Sequence, residues 1–97
     1  MKKYLVALDS NNKSQNDDFK EYIRTNGFGW WYWIDGFWIL TDSKDKLTAS
    51  DLRTKLNDFY PNVRRLVIEL RSDDYSWSGY GPSTESRNMF NWLHENM

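Results

Sequence analysis

Apolar and polar positions fall into blocks along this chain, and the period of the pattern changes from block to block. Tyr4 to Leu8 is an apolar run with Val6 near its middle, bounded by Lys2-Lys3 on one side and Asp9-Ser10-Asn11-Asn12 on the other, which predicts a first strand. The pattern then turns helical. Phe19, Tyr22 and Ile23 share one face, Asn16 is placed to cap, and Asp17, Asp18 and Glu21 suit the positive end of a helix dipole. The helix is expected to run through Asn26 and stop at Gly27.

Two β-rich runs follow, Trp30-Trp31-Tyr32-Trp33-Ile34 and Phe37-Trp38-Ile39-Leu40-Thr41, joined by Asp35-Gly36. A two-residue Asp-Gly link between such runs predicts a hairpin, because Gly36 can take the positive φ of its tight turn. Neither face of the first run is polar, so neither face reads as plainly solvated.

Thr48 is placed to cap a second helix, with Asp51 at the reciprocal position and Leu47 and Leu52 spaced as a hydrophobic staple. Leu52, Leu56 and Phe59 form its apolar stripe, and Tyr60-Pro61-Asn62 ends it. Val63 to Arg71 predicts another strand, with Leu66, Ile68 and Leu70 on one face and Arg65, Val67, Glu69 and Arg71 on the other. Ser72 to Ser83 reads as an ordered loop anchored by Trp77, Tyr80 and Pro82. A final helix is expected from about Thr84, capped by Ser83, with Met89, Phe90, Leu93 and Trp92 available to face inward.

The order β-α-β-β-α-β plus a terminal helix predicts one α+β domain over residues 1–97, ferredoxin-like, with a four-stranded antiparallel sheet. Right-handed crossovers would put two helices on one sheet face and leave the other open, and function is expected on that open face.

Composition narrows the chemistry. Six Trp in 97 residues make the aromatics a large part of any core. The absence of Cys removes disulfides and thiolate metal sites and fits a reducing, cytoplasmic setting. A single histidine, His94, leaves little for histidine-based metal or triad chemistry; near a helix C-terminus it complements the dipole. The apolar stretch before Asp9 is too short for a signal sequence, and no run approaches the roughly 20 residues of a membrane span, so a soluble protein without membrane association is expected. The net charge of −1 gives no global pull toward nucleic acid, so any such binding would need a local patch.

The strand ending in Asp9, the Trp-Trp-Tyr-Trp hairpin with its Trp38-Ile39-Leu40 return, the Leu66-Val67-Ile68-Glu69-Leu70 strand and Trp92-Leu93 together resemble the short bacterial "SinR family" proteins. Those are distantly similar to the small ferredoxin-like subunit of CRISPR spacer acquisition. The resemblance implies a homodimer made through the open sheet or its edge, with contact to nucleic acid, and a binding module of this kind would suit a phage, mobile-element or defence setting. It also places Asp9 where those relatives carry an Asp assigned to metal-dependent phosphodiester cleavage with Mg²⁺ or Mn²⁺. The chain departs from those relatives after its fourth strand, where a Trp/Gly loop and a helix stand in place of a further strand.

Each candidate residue has a chemical and a plainer reading. Asp9 could ligate a divalent metal with its symmetry mate, or cap a turn with Ser10, Asn11 and Asn12. Trp31, Trp33 and Trp38 could stack bases or meet a protein partner, or simply fill the core. Arg64, Arg65 and Arg71, with Lys2 and Lys3 on the neighbouring strand, could bind phosphates or form a solvated edge. Trp77 and Tyr80 lie in a loop without phosphate-binding glycine spacing, which reads as a cover for the sheet edge open to interaction. The balance favours a non-enzymatic, self-associating module without cofactor, able to meet protein or nucleic acid; the alternative is a metal-dependent nuclease using Asp9.

Overall fold

The structure is a computed structural model and describes residues 1–97. β1 (Lys2–Leu8) leads into α1 (Lys13–Thr25), β2 (Gly29–Ile34) and β3 (Phe37–Asp42) form the hairpin, α2 (Ala49–Phe59) precedes β4 (Arg65–Leu70), and α3 (Asn91–Asn96) closes the chain. The strands form one antiparallel sheet in the order β2-β3-β1-β4. The connection through α1 therefore passes over β3, and the one through α2 passes over β1. The result is a small α+β domain, and none of its helices is long and apolar enough to cross a membrane.

Strand alternation sends every second side chain to opposite faces, and each face has its own core. On the helix face, Tyr4, Val6 and Leu8 of β1 and Trp38 and Leu40 of β3 pack against Phe19 and Ile23 of α1, Leu52 and Leu56 of α2, and Tyr60. Trp38 is wholly buried there, edge-on to Phe19 and stacked on Tyr32 at 4.1 Å between ring centroids. Burying a ring of that size removes on the order of 150–250 Å² from water. At about 25 cal/mol per Å² that is worth roughly 4–6 kcal/mol.

The hairpin turn is fixed from two sides. Gly36 has φ of +73°, its carbonyl accepts the Leu8 N–H at 2.7 Å, and its N–H donates to the Tyr32 hydroxyl at 3.1 Å. α1 begins earlier than its acidic residues suggest. Asn12 is the cap, accepting the Gln15 N–H while the Gln15 side chain reaches back to the Asn12 N–H, so two otherwise unpaired donors are satisfied at once. Asn16, expected at the cap, instead lies buried one turn in, where its Oδ1 accepts the Tyr60 hydroxyl at 2.8 Å. The α2 cap matches expectation, since the Thr48 hydroxyl accepts the Asp51 N–H. The Asp42 carboxylate holds the approach to α2 by accepting N–H groups from Lys44, Lys46 and Leu47.

The C-terminal segment departs most from expectation. No helix starts at Thr84. Residues 83–90 fold back on themselves through a Ser83–Asn88 bridge, a Met89 N–H bond to the Pro82 carbonyl and a Thr84 hydroxyl that both donates and accepts at Arg87. Polar side chains that bond to nearby backbone compete with helix formation, and α3 is left with six residues.

Candidate interaction surface

The face away from α1 and α2 is not open over its whole width. Strand register arranges it in three rows across the sheet. Gly29, Thr41, Lys3 and Leu70 make one row; Trp31, Ile39, Leu5 and Ile68 make the next; Ile34, Phe37, Ala7 and Leu66 make the third. The C-terminal segment folds over the first two rows at the β2–β3 side, where Trp31 and Ile39 form a second core with Met89 and Leu93. Its fastenings are specific. The Trp31 indole donates to the Met89 carbonyl, and the Lys3 ammonium donates to Asp73 at 2.7 Å and to the Tyr75 hydroxyl at 2.9 Å. The Asp73 and Tyr75 bonds raise the Lys3 pKa above the ordinary lysine value, and Lys3 in turn holds Asp73 below the ordinary carboxylate range. Tyr75 then donates to the Met97 carbonyl, tying the chain end to the same anchor.

What remains uncovered is an L-shaped apolar strip. It runs along the third row and turns down β4, with Ile34 at 53% exposure, Leu66 at 59% and Ile68 at 46%. Where the strip meets the C-terminal segment lies an apolar cleft of about 310 Å³, whose walls include Leu5, Phe37, Leu70, Trp77 and Met97.

β4 is unusual in how it distributes its side chains. Val67 packs toward the helix-side core, which puts Arg65 and Glu69 on that same side, while Leu66 and Ile68 point to solvent on the other. Arg65 is used structurally: its guanidinium donates to the Tyr60 carbonyl at 3.0 Å, at the C-terminal end of α2, and to the Asn57 side chain. Glu69 accepts from Arg71 at 2.6 Å and lies 3.9 Å from Lys2.

The sequence-derived candidates therefore separate. Trp38 is a core residue rather than a binding residue, because it is sealed between sheet and helices. Trp31 is likewise enclosed, by the protein's own C-terminal segment. Trp33 stays on the surface with the Arg87 guanidinium 5.5 Å from its ring, Trp77 stacks on Phe90 half-buried, and Tyr80 stands free at 99% exposure. Arg64, Arg65 and Arg71 do not line up as a stripe: Arg64 pairs with Asp9, Arg65 turns to α2, and Arg71 pairs with Glu69. Lys2 donates to the Leu47 carbonyl.

Asp9 sits just past β1. Its Oδ2 accepts from Arg64 Nε at 3.0 Å and Nη2 at 2.9 Å, and its N–H donates to the Arg64 carbonyl. No group of three or more His, Cys, Asp or Glu side chains is placed to hold a metal ion. The strip residues Ile34, Phe37, Ala7, Leu66 and Ile68 were not singled out from sequence. The alternation places Leu66 and Ile68 on one face of β4 but does not say whether that face is the exposed one. Compared with known proteins, the chain matches no family model, no curated protein and no solved structure.

Proposed function

We propose that this chain is a small ferredoxin-like, non-enzymatic binding module that self-associates through the uncovered part of its sheet. The strand order β2-β3-β1-β4, with α1 and α2 each connecting over one strand, supports the ferredoxin-like assignment. The observation that carries the function is the strip from Ile34 through Phe37 and Ala7 to Leu66 and Ile68. It is a contiguous apolar surface on a rigid sheet, flanked by charged residues, and such surfaces mark association sites. Of the aromatics expected to serve a partner, Trp31 and Trp38 serve the fold instead, and aliphatic side chains supply the apolar strip.

The nuclease alternative receives less support. Asp9 is held by Arg64, and within one chain no group of three or more potential metal ligands includes it. Light scattering across a concentration series tests the main reading. The chain is expected to reach twice its monomer mass, and Leu66→Ser with Ile68→Ser is expected to return it to monomer while circular dichroism stays unchanged. A monomer at every concentration would overturn self-association. Cleavage of labelled DNA or RNA with Mn²⁺ that disappears in Asp9→Ala would overturn the non-enzymatic reading.

A further inference from the structure

The two edges of the sheet are built differently. β2 carries a register shift between Trp31 and Ile34, and such irregularities bend a strand and interrupt the row of backbone groups it offers. β4 is the other edge, bonded only to β1, and its pairing runs without a break over six positions from Lys3–Leu70 to Leu8–Arg65. A strand regular on its inner side presents a regular set of N–H and C=O groups outward. Its sequence, Arg-Leu-Val-Ile-Glu-Leu, contains no Pro, and its only charges, Arg65 and Glu69, are of opposite sign and lie on one face.

From this edge we infer that β4 pairs antiparallel with β4 of a second copy, about a two-fold axis through Val67. The inference rests on the self-association proposed above and specifies its geometry. Symmetry limits the choices, because an isologous pair must place the same strand against itself in reverse. With the axis at Val67, Arg65 lies opposite Glu69 of the second copy, and Leu66 lies opposite Ile68 of the second copy. Charge meets opposite charge on the helix side, and apolar meets apolar on the uncovered side. With the axis at Ile68, Arg65 would face Arg71, and Val67 would face Glu69. With the axis at Leu66, Arg65 would face Val67, and Arg64 would face Ile68. Like charges directly opposite destabilise a pair and opposite charges support it; the Val67 register leaves Arg64 opposite Leu70, but of the three it alone sets opposite charges face to face within β4 without a like-charge pair. Arg65 has no carboxylate partner within its own chain, although its guanidinium is held by the Val63, Tyr60 and Asn57 oxygens and Glu69 is paired with Arg71, so the two charges would meet across the axis alongside these contacts.

This arrangement joins two four-stranded sheets into one of eight strands. It also sets Leu66 of each copy against Ile68 of the other at the axis, which covers the β4 corner of each strip.

The chain has no cysteine, so a single introduced one reports register unambiguously. Cα atoms directly opposite in an antiparallel pair lie about 4.5–5.5 Å apart, within the range a disulfide spans. Under mild oxidation Val67→Cys is expected to form disulfide dimers roughly tenfold or more faster than Thr54→Cys on the exposed side of α2, because pairing raises the local thiol concentration. An equimolar mixture of Leu66→Cys and Ile68→Cys is expected to crosslink faster than either alone. Since both side chains are exposed, that mixture carries the test if Val67→Cys fails to fold. Val67→Cys no faster than the control, with no gain in the mixture, would overturn the β4 register. If light scattering then still gives a dimer, only this register falls; if it gives a monomer, the self-association reading falls with it.

Discussion

The Trp31 indole N–H donates to the Met89 carbonyl at 2.8 Å inside the second core, so a ring from the hairpin fastens the last part of the chain to the sheet. Trp31→Phe keeps most of the apolar contact but leaves the Met89 carbonyl without its donor. A buried unpaired carbonyl costs about 1–3 kcal/mol. Faster hydrogen exchange is expected at the amides of α3, including His94 and Met97, while the amides of β1 and β3 keep their protection. Equal loss of protection throughout would mean that the C-terminal segment and the sheet open as one unit.

Gly36 and Gly27 have nearly the same positive φ, +73° and +72°, but different surroundings. A Cβ at Gly36 would lie 2.6 Å from the Leu8 carbonyl oxygen, whereas a Cβ at Gly27 would meet nothing within 4 Å. Gly27→Ala is expected to cost roughly 1–3 kcal/mol for the backbone conformation alone. Gly36→Ala should cost more, because Leu8 is fixed in the sheet and cannot give way. Denaturant midpoints of the two variants measure the difference.

Asp42 ends β3 with its carboxylate against three backbone donors. Burial alone would raise its pKa, but the bonds from Leu47, Lys44 and Lys46 outweigh it and hold the carboxyl below its ordinary value. A group with a lowered folded pKa stabilises above its unfolded value, about pH 4, and loses that contribution as pH falls through the folded one. Asp42→Asn is expected to be less stable by about 1–3 kcal/mol at pH 7, because hydrogen bonds to a charged acceptor are the stronger ones. The gap between the two proteins should narrow as pH drops below about 4, which urea unfolding at several pH values would show.

Two leucines distinguish core from surface. Leu56 is wholly buried between α2 and the sheet, and Leu56→Ala is expected to cost about 2–5 kcal/mol. Leu66→Ala should stay within about 0.5 kcal/mol in the monomer, because its side chain already faces water. If Leu66→Ala is as costly as Leu56→Ala at low protein concentration, the strip is buried in the monomer and the proposed surface does not exist.

Much of the fold could be read from local pattern. The Asp35-Gly36 turn, the Thr48 cap and the Leu52–Leu56 stripe each depend on residues close in sequence, and each occurs where expected. The start of α1 could not be placed as well, because Asn12 and Asn16 are both competent caps. What separates them is Gln15, which completes the box at Asn12, and Tyr60, which takes Asn16 into the core from 44 residues away. The Thr84 region failed for a related reason, since its apolar spacing was compatible with a helix while its hydroxyl and amide side chains closed turns instead.

The candidate surface was less legible than the fold. Period-two alternation divides the residues of β4 into two sets, but nothing in the alternation says which set faces the helices. By itself the sequence determined the elements from β1 to β4, their order and the turn that joins β2 to β3, because caps, turns and periodicity act over a few residues. Tertiary structure alone decided that Trp31 and Trp38 are enclosed, that Asp9 is held by Arg64, and that Leu66 and Ile68 are left at the surface. Those outcomes depend on where residues 72–97 fold back over the sheet and on α2 leaving Arg65 and Glu69 on its own side of β4, which are contacts between segments far apart in the chain.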